Sequence, residues 1–278
     1  MRQSGRTQQA ILEQYVWGRQ TIEQLSRTED RSHVWVKKQL DAALTLKRTL
    51  VPCATPVAAD MTFWGRGYGV MVFRSPTLKK NLWWKESLFE TPFVYSEGLV
   101  SLLKAGWKIT GAVIDGKRGV AQVFERLGIP VQYCQFHQVK TVTNYLTRKP
   151  QSECAQELRR LALTLTKSTE DEFRTGLDDW QTKWKSFLEE KSPAPHKKRG
   201  WEYTHRRSRA AYRSLRSNFS QLFTYQRYPE LHIPNTTNTL DGMFSQIKNR
   251  LAVHRGLRRD RRFKIVSEIL KGKRTDSN

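Results

Sequence analysis

The pattern of apolar and polar positions is clearest in the middle of the chain. A short, mostly apolar run over 109–114 ends at Asp115 and a glycine turn, which is typical of a buried strand that stops at the edge of a sheet. Apolar residues at spacings of three and four then predict a helix over 120–128, and the stretch 129–136 predicts a second strand that runs into His137. Strand, acid, helix and strand in this order build a parallel sheet with its reactive groups at one edge.

Three further strands and a helix are predicted before this unit. After a boundary marked by prolines near residue 52, the stretch 57–64 has the pattern of a strand and carries Asp60. The remaining elements are an antiparallel return strand over 68–73, a third strand over 81–86 and a helix over 96–105. Residues 51–278 are therefore predicted to form an α/β domain with a mixed sheet.

The first 50 residues have the pattern of three short helices. Apolar residues share one helical face in each of three segments, and basic residues that include Lys37 and Lys38 surround the last one. Short helices joined by tight turns fit a helix-turn-helix that lays its final helix in a DNA groove. We predict a DNA-binding helix-turn-helix over 1–50, with a plain three-helix cap and a solvated basic face as the alternative.

Two helical segments are predicted after the last strand. From about 145 to 230, apolar stripes recur at helical spacing without strand signals, so this block is predicted to be a helical insertion in the α/β domain. The next segment, 235–251, has a stripe formed by Leu240, Phe244, Ile247 and Leu251. This stripe leaves Asp241, Ser245 and Lys248 together on a neighbouring face of the helix.

The formal net charge of +23 and the pI of about 10.2 make nucleic acid the leading partner class. Cations interleaved with aromatic residues over 196–216 suit a phosphate backbone with unstacked bases. The residues predicted to bind DNA are Lys37, Lys38, Lys197, Lys198, Arg199, Arg206, Arg207, Lys248, Arg255, Arg258 and Arg259. A membrane surface is the competing partner, but no stretch approaches the roughly 18 apolar residues that a membrane span needs.

Cysteine usage bears on the compartment. Cys53, Cys134 and Cys154 are an odd number in a long chain, which favours a reducing environment over a disulfide framework. The chain starts with polar residues and shows no pattern of a secretory leader. The cytoplasm is therefore the predicted location.

Three acids suggest chemistry at phosphorus. Asp60 lies in an apolar strand, Asp115 ends a buried strand, and Asp241 lies in the first turn of the late helix. Carboxylates gathered at one sheet edge repel each other, and Mg²⁺ bound between them relieves the repulsion and can activate phosphodiester hydrolysis or transfer. Each acid also has a structural interpretation, because Asp60 could end a strand, Asp115 could form a turn and Asp241 could cap its helix.

The pair Cys134 and His137 has the spacing of half a zinc site. A four-coordinate zinc needs two more ligands, and no second pair of suitable spacing exists in the sequence. His137 follows a predicted strand end beside the strand of Asp115, so we predict that it contacts a phosphate or a catalytic water. His254 could act similarly or could cap a helix end.

In order and spacing, these residues resemble the Mutator-like transposases of bacterial insertion sequences. The resemblance covers residues from about 55 to 270 and is carried by Asp60 and by the segments 112–116, 134–137, 235–248 and 254–256. It implies a ribonuclease-H-like core with a helical insertion before the third acid. It also implies cleavage of double-stranded DNA at the ends of a mobile element, and joining of the freed 3′ hydroxyl to target DNA.

The resemblance also implies roles for particular residues. Asp60, Asp115 and Asp241 would be the catalytic ligands of two Mg²⁺ ions, with Mn²⁺ as a substitute, and His137 would lie with Cys134 beside them. A homo-oligomer acting on DNA in the bacterial cytoplasm, associated with the nucleoid, is expected.

Two departures from the family pattern leave other functions open. The third acid in the family is most often Glu, whereas this chain has Asp241, and the cysteine zinc ribbon that often precedes the helix-turn-helix is not found. The alternatives are a truncated or non-catalytic transposon-derived DNA-binding protein and a metal-dependent DNA nuclease.

Overall fold

The computed structural model describes residues 4–45, 49–65, 68–254 and 256–273, and a five-stranded mixed sheet lies at its centre. The strands are β1 (Ala54–Phe63), β2 (Gly69–Ser75), β3 (Lys80–Ser87), β4 (Lys108–Ile114) and β5 (Val131–Tyr133), in the order β3-β2-β1-β4-β5. The first three strands pair antiparallel, and β4 runs parallel to both β1 and β5. The predicted α/β class with a mixed sheet is confirmed.

Helices cover both faces of this sheet. The helices up to the insertion are α1 (Ser4–Val16), α2 (Ile22–Glu29), α3 (His33–Ala42), α4 (Pro92–Lys104) and α5 (Ala121–Glu125). Because side chains alternate along a strand, Val57 and Ala59 of β1 pack with α4 and α5, while Ala58 faces the opposite side. Asp60 shares the parity of Ala58 and therefore lies on that opposite face.

The three predicted N-terminal helices are present and pack against one another. Thr21 and Gln24 form a capping box that begins α2, and Ser32 caps α3. Leu12 and Leu40 belong to the same buried cluster as sheet residues, so the helices share one hydrophobic core with the sheet.

The insertion between β5 and the late helix has a core of its own. It contains α6 (Gln135–Leu146), α7 (Glu153–Thr164), α8 (Glu170–Glu189), α9 (Arg206–Leu222) and α10 (Thr224–Arg227). Leu158, Phe173 and Leu215 are among its fully buried residues. The late helix follows as α11 (Asn238–Leu251), and α12 (Arg259–Lys271) packs near the edge strand β3.

The insertion is mostly helical, as predicted, but it also contains two short strands that give no signal in the sequence. A two-stranded antiparallel hairpin, β6 (Lys191–Pro193) and β7 (Trp201–Tyr203), stands between α8 and α9. In the short second strand the aromatic residues Trp201 and Tyr203 stand on either side of the polar Glu202. Gly200 precedes this strand and has a left-handed φ of 69°. Strands of three residues are too short for an alternating pattern to show in the sequence.

Three boundaries of helices and strands differ from those predicted from the sequence. The strand expected over 129–136 ends at Tyr133, and Cys134 stands at the N-cap position of a helix instead. The helix expected over 120–128 is one turn long, and Gly128 then takes a left-handed φ of 69°. The helix expected from 96 begins at Pro92, because proline suits the first turn of a helix.

Gly98→Ala should destabilise the fold, because a Cβ at Gly98 in α4 would collide with the buried ring of Phe73. We expect a loss of about 1–3 kcal/mol in the free energy of unfolding, measured by urea denaturation. Gly242 in α11 is the matched control, since no atom lies within 4 Å of its added Cβ. Gly242→Ala should leave stability unchanged or raise it by up to about 1 kcal/mol. Equal effects of the two substitutions would contradict the packing described for Gly98.

Candidate metal centre

Three carboxylates meet at the edge of the sheet. Asp60, Glu90 and Asp115 each offer one oxygen, and these oxygens all lie within 4.8 Å of one another. Strands β1 and β4 pair in parallel with Ala58 opposite Val113, so two residues further along, Asp60 and Asp115 stand side by side. Glu90 comes from the loop between β3 and α4. The predicted meeting of Asp60 and Asp115 is thus what the structure shows.

The carboxylates are held in surroundings that disfavour their negative charge. Burial, followed by the nearby charges of Asp115 and Glu90, raises the pKa of Asp60 to about 7, although the Met61 amide donates a 2.7 Å hydrogen bond to it. Burial and then the charge of Glu90 also raise the pKa of Asp115. A divalent cation between the three oxygens would replace this repulsion with attraction.

Glu90 was not predicted from the sequence. Its carboxylate accepts a 2.7 Å hydrogen bond from the Tyr95 hydroxyl and a 2.9 Å bond from the Lys117 ammonium, which fix it beside Asp115. In the sequence, Glu90 stands two residues before Pro92, where an acid is ordinary at the start of a helix. No pattern in the sequence distinguishes that role from metal binding.

Asp241 lies in the first turn of α11, as predicted, but outside the cluster of three carboxylates. Its Oδ2 is 3.4 Å from the Thr237 hydroxyl, which is itself 3.3 Å from Cys134 Sγ and 3.4 Å from His137 Nδ1. Thr237 therefore connects Asp241 to the Cys-x-x-His pair. The structure brings Asp241 next to His137, whereas Glu90 occupies the third place beside Asp60 and Asp115.

His137 lies in the first turn of α6 rather than after a strand end. A hydrogen bond with Cys134 raises the pKa of His137 to about 9 against the effect of burial, and the charges of Asp241 and Asp60 add to the rise. Burial raises the pKa of Cys134, but hydrogen bonds from His137 and Thr237 outweigh this and lower it. These surroundings favour the protonated form of the His137 ring, and its hydrogen-bonded partner Cys134 favours the thiolate.

Glu90→Gln is expected to weaken Mg²⁺ binding by about tenfold or more, because it replaces one of three clustered carboxylates with a neutral amide. Isothermal titration calorimetry of the full chain measures this directly. Asp241→Asn is the comparison, and we expect a loss of less than about threefold because Asp241 stands outside the cluster. A larger loss for Asp241→Asn than for Glu90→Gln would contradict the arrangement of ligands described above.

Carboxylate oxygens in this arrangement form a hard ligand set of the kind that Mg²⁺ and Mn²⁺ bind. Neither family models nor curated proteins match this chain. The acid cluster, the fold and the distribution of charge are the features of this chain that bear on its function.

Most of the predicted DNA-binding residues are on the surface. Exposed side chains are those of Lys37, Lys38, Lys198, Arg199, Arg206, Arg207, Lys248, Arg258 and Arg259. Lys197 is half-buried and ion-paired with Glu202, and Arg255 lies outside the described residues. Three of the exposed arginines also have carboxylate partners, since Arg206 pairs with Glu202, Arg258 with Asp260 and Arg259 with Glu86. Among the described residues, no helix is long and apolar enough to cross a membrane.

Proposed function

We propose that this protein is a DNA transposase that cleaves the ends of a mobile element and joins the freed 3′ hydroxyl to target DNA. The observation that carries the proposal is the meeting of Asp60 and Asp115 on adjacent parallel strands, with a third carboxylate within 4.8 Å. The net charge of +23 supports a polyanionic substrate.

The fold is compatible with the ribonuclease-H-like core that the sequence resemblance implies. Three antiparallel strands are followed by two parallel ones, in the order β3-β2-β1-β4-β5. The helical insertion lies between β5 and α11, ahead of Asp241, where the resemblance expects it. We therefore propose the ribonuclease-H-like fold as the finer description of this α/β domain.

The residues of the site have distinct roles in this proposal. Asp60, Glu90 and Asp115 would hold the metal, which when bound supplies positive charge for an in-line displacement at phosphorus. Lys117 and Tyr95 keep the Glu90 carboxylate in place through their hydrogen bonds. His137, with its pKa raised to about 9, carries a positive charge that can bind a phosphate oxygen at neutral pH.

Two successive displacements account for the proposed activity. In the first, water attacks a phosphodiester at the element end and the 3′ oxygen leaves as a hydroxyl. In the second, that 3′ hydroxyl attacks a phosphodiester of the target, and a target 3′ hydroxyl leaves. Each displacement places negative charge on the oxygens of the phosphodiester under attack, so one set of cationic groups can serve both steps in turn.

The test is cleavage and strand transfer by the purified full chain on duplex DNA carrying the element's own flanking ends. Metal-dependent joined products, absent in EDTA, are the expected result. Nicked DNA without joining would overturn transposition in favour of a nuclease that uses the same acids. Tight duplex binding without cleavage in Mg²⁺ or Mn²⁺ would overturn catalysis in favour of a DNA-binding protein.

A further inference from the structure

A small cavity in the helical insertion is lined almost entirely by cations. It lies between the β6–β7 hairpin and the start of α9, and its volume is about 210 Å³. Its lining consists of Arg199, Tyr203, Arg206, Arg209 and Arg213. None of these residues belongs to the acid cluster, so the cavity is a second feature of the molecule.

The guanidinium groups are oriented by aromatic rings and backbone carbonyls. Arg199 lies 4.3 Å from the ring centroid of Trp201, and Arg209 lies 3.5 Å from that of Tyr203. Arg199 Nε donates to the Trp201 carbonyl at 2.8 Å, and Arg209 donates to the Leu188 carbonyl at 2.6 Å. Such contacts fix the cations without cancelling their charge.

The positive charge at this cavity exceeds the negative charge. Glu202 is the acid nearest in sequence, and its carboxylate is shared by Arg206 at 2.9 Å and by Lys197. Lys191 adds a further cation over the Trp201 ring, 4.2 Å from its centroid. Like charges held this close repel one another, so binding of an anion in the cavity would stabilise the arrangement.

One guanidinium nitrogen of the lining also lacks a partner. Arg209 Nε is buried and makes no hydrogen bond within the part of the chain that the structure describes. A buried donor without an acceptor is unfavourable, so Arg209 has an unmet hydrogen-bonding capacity in the lining of this cavity. The lone pairs of a phosphate group can accept from several guanidinium donors at once.

We propose that this cavity binds a backbone phosphate of DNA and so anchors the duplex at a second point, away from the acid cluster. That the phosphate belongs to DNA follows from the proposed function, whereas the preference for a phosphate follows from the four arginines. Arginine suits this role because its planar fork donates two parallel hydrogen bonds to one phosphate.

The test is duplex binding, measured by gel shift in EDTA so that no chemistry is needed. Arg199→Ala combined with Arg213→Ala should weaken binding about tenfold or more at 0.15 M salt and flatten its salt dependence. Arg148→Ala combined with Lys149→Ala is the matched control, since both residues are exposed in the same insertion and lie outside the cavity. The control removes the same net charge and should cost less than about threefold.

Additional variants distinguish a specific phosphate site from general electrostatic attraction to DNA, and a folding control excludes misfolded variants. Arg199→Lys combined with Arg213→Lys keeps the charge but loses the fork, and should recover only part of the affinity. Full recovery by the lysines, or equal losses in the alanine pair and its control, would overturn the proposal. Circular dichroism of each variant should match that of the unaltered protein, and the lysine pair decides the question if the alanine pair unfolds.

The source of the phosphate is tested separately. Inorganic phosphate at constant ionic strength should compete only weakly with the duplex for this cavity. Saturable phosphate binding that is lost in the alanine pair, together with unchanged duplex affinity, would make this a site for free phosphate and overturn the proposal.

The outcomes also separate this cavity from the proposed function. DNA binding that depends on the cavity, without metal-dependent cleavage, would support the proposed phosphate site and overturn the proposed transposase activity. Normal metal-dependent cleavage, together with DNA binding that the alanine pair does not weaken, would support the transposase and overturn the phosphate anchor.

Discussion

Asp115→Asn is expected to abolish metal-dependent cleavage and joining, with a loss of about 10³-fold or more in rate. The amide is neutral and a poor ligand for Mg²⁺, and Asp115 is one of the three clustered carboxylates. DNA binding in EDTA should be retained, because it depends on the basic surface rather than on this carboxylate.

Asp179→Asn is the matched control for this loss. Asp179 is an exposed acid in α8, so the same change of chemistry there should leave cleavage within about twofold of the unaltered protein. Both variants should be assayed for single-turnover cleavage on the same duplex. Retention of a tenth or more of the activity by Asp115→Asn would mean that the acid cluster is not the catalytic centre.

Asp60→Asn is expected to stabilise the metal-free protein at pH 8, by about 2–4 kcal/mol. The pKa of Asp60 is raised from 3.8 to about 7 in the folded chain, so the folded state binds this proton more tightly than the unfolded state does. Stability of the metal-free protein therefore falls as the pH rises from about 4 to about 7, and the loss is complete above that range. Asparagine has no proton to lose and keeps an oxygen that can accept from Met61.

Urea denaturation in EDTA at pH 5 and pH 8 measures this effect. The difference between the variant and the unaltered protein should be larger at pH 8, and Mg²⁺ should stabilise the unaltered protein more than the variant. A variant that is less stable than the unaltered protein at pH 8 in EDTA would show that Asp60 is not a destabilising charge. The comparison at each pH removes the general effect of the high net charge.

The parts of the site that follow local rules could be predicted from the sequence. Asp115 ends a run of apolar residues, and the parallel pairing of the two strands then places it beside Asp60. The apolar stripe of α11 likewise fixes Asp241 on a different face from the residues that pack in the core.

The rest depends on tertiary contacts that leave no periodic pattern. Glu90 is in a loop, and only its bonds to Tyr95 and Lys117 give it a position in the cluster. The start of α6 is similar, because the Gln135 amide donates to the Asn235 carbonyl at 2.9 Å, across a sequence distance of one hundred residues. The strand pattern before His137 could not reveal that contact.

The helix α11 is tied to the N-terminal helices at one end and bears Asp241 near the other. Arg250 stacks over Trp17 at 4.8 Å and donates to the Val16 carbonyl at 3.4 Å, both at the end of α1. From Arg250 to Asp241 the helix rises by about 14 Å at roughly 1.5 Å per residue, without a break. One unbroken helix therefore joins the end of α1 to the Asp241 carboxylate, so the packing of the N-terminal helices helps to set the position of Asp241 relative to His137.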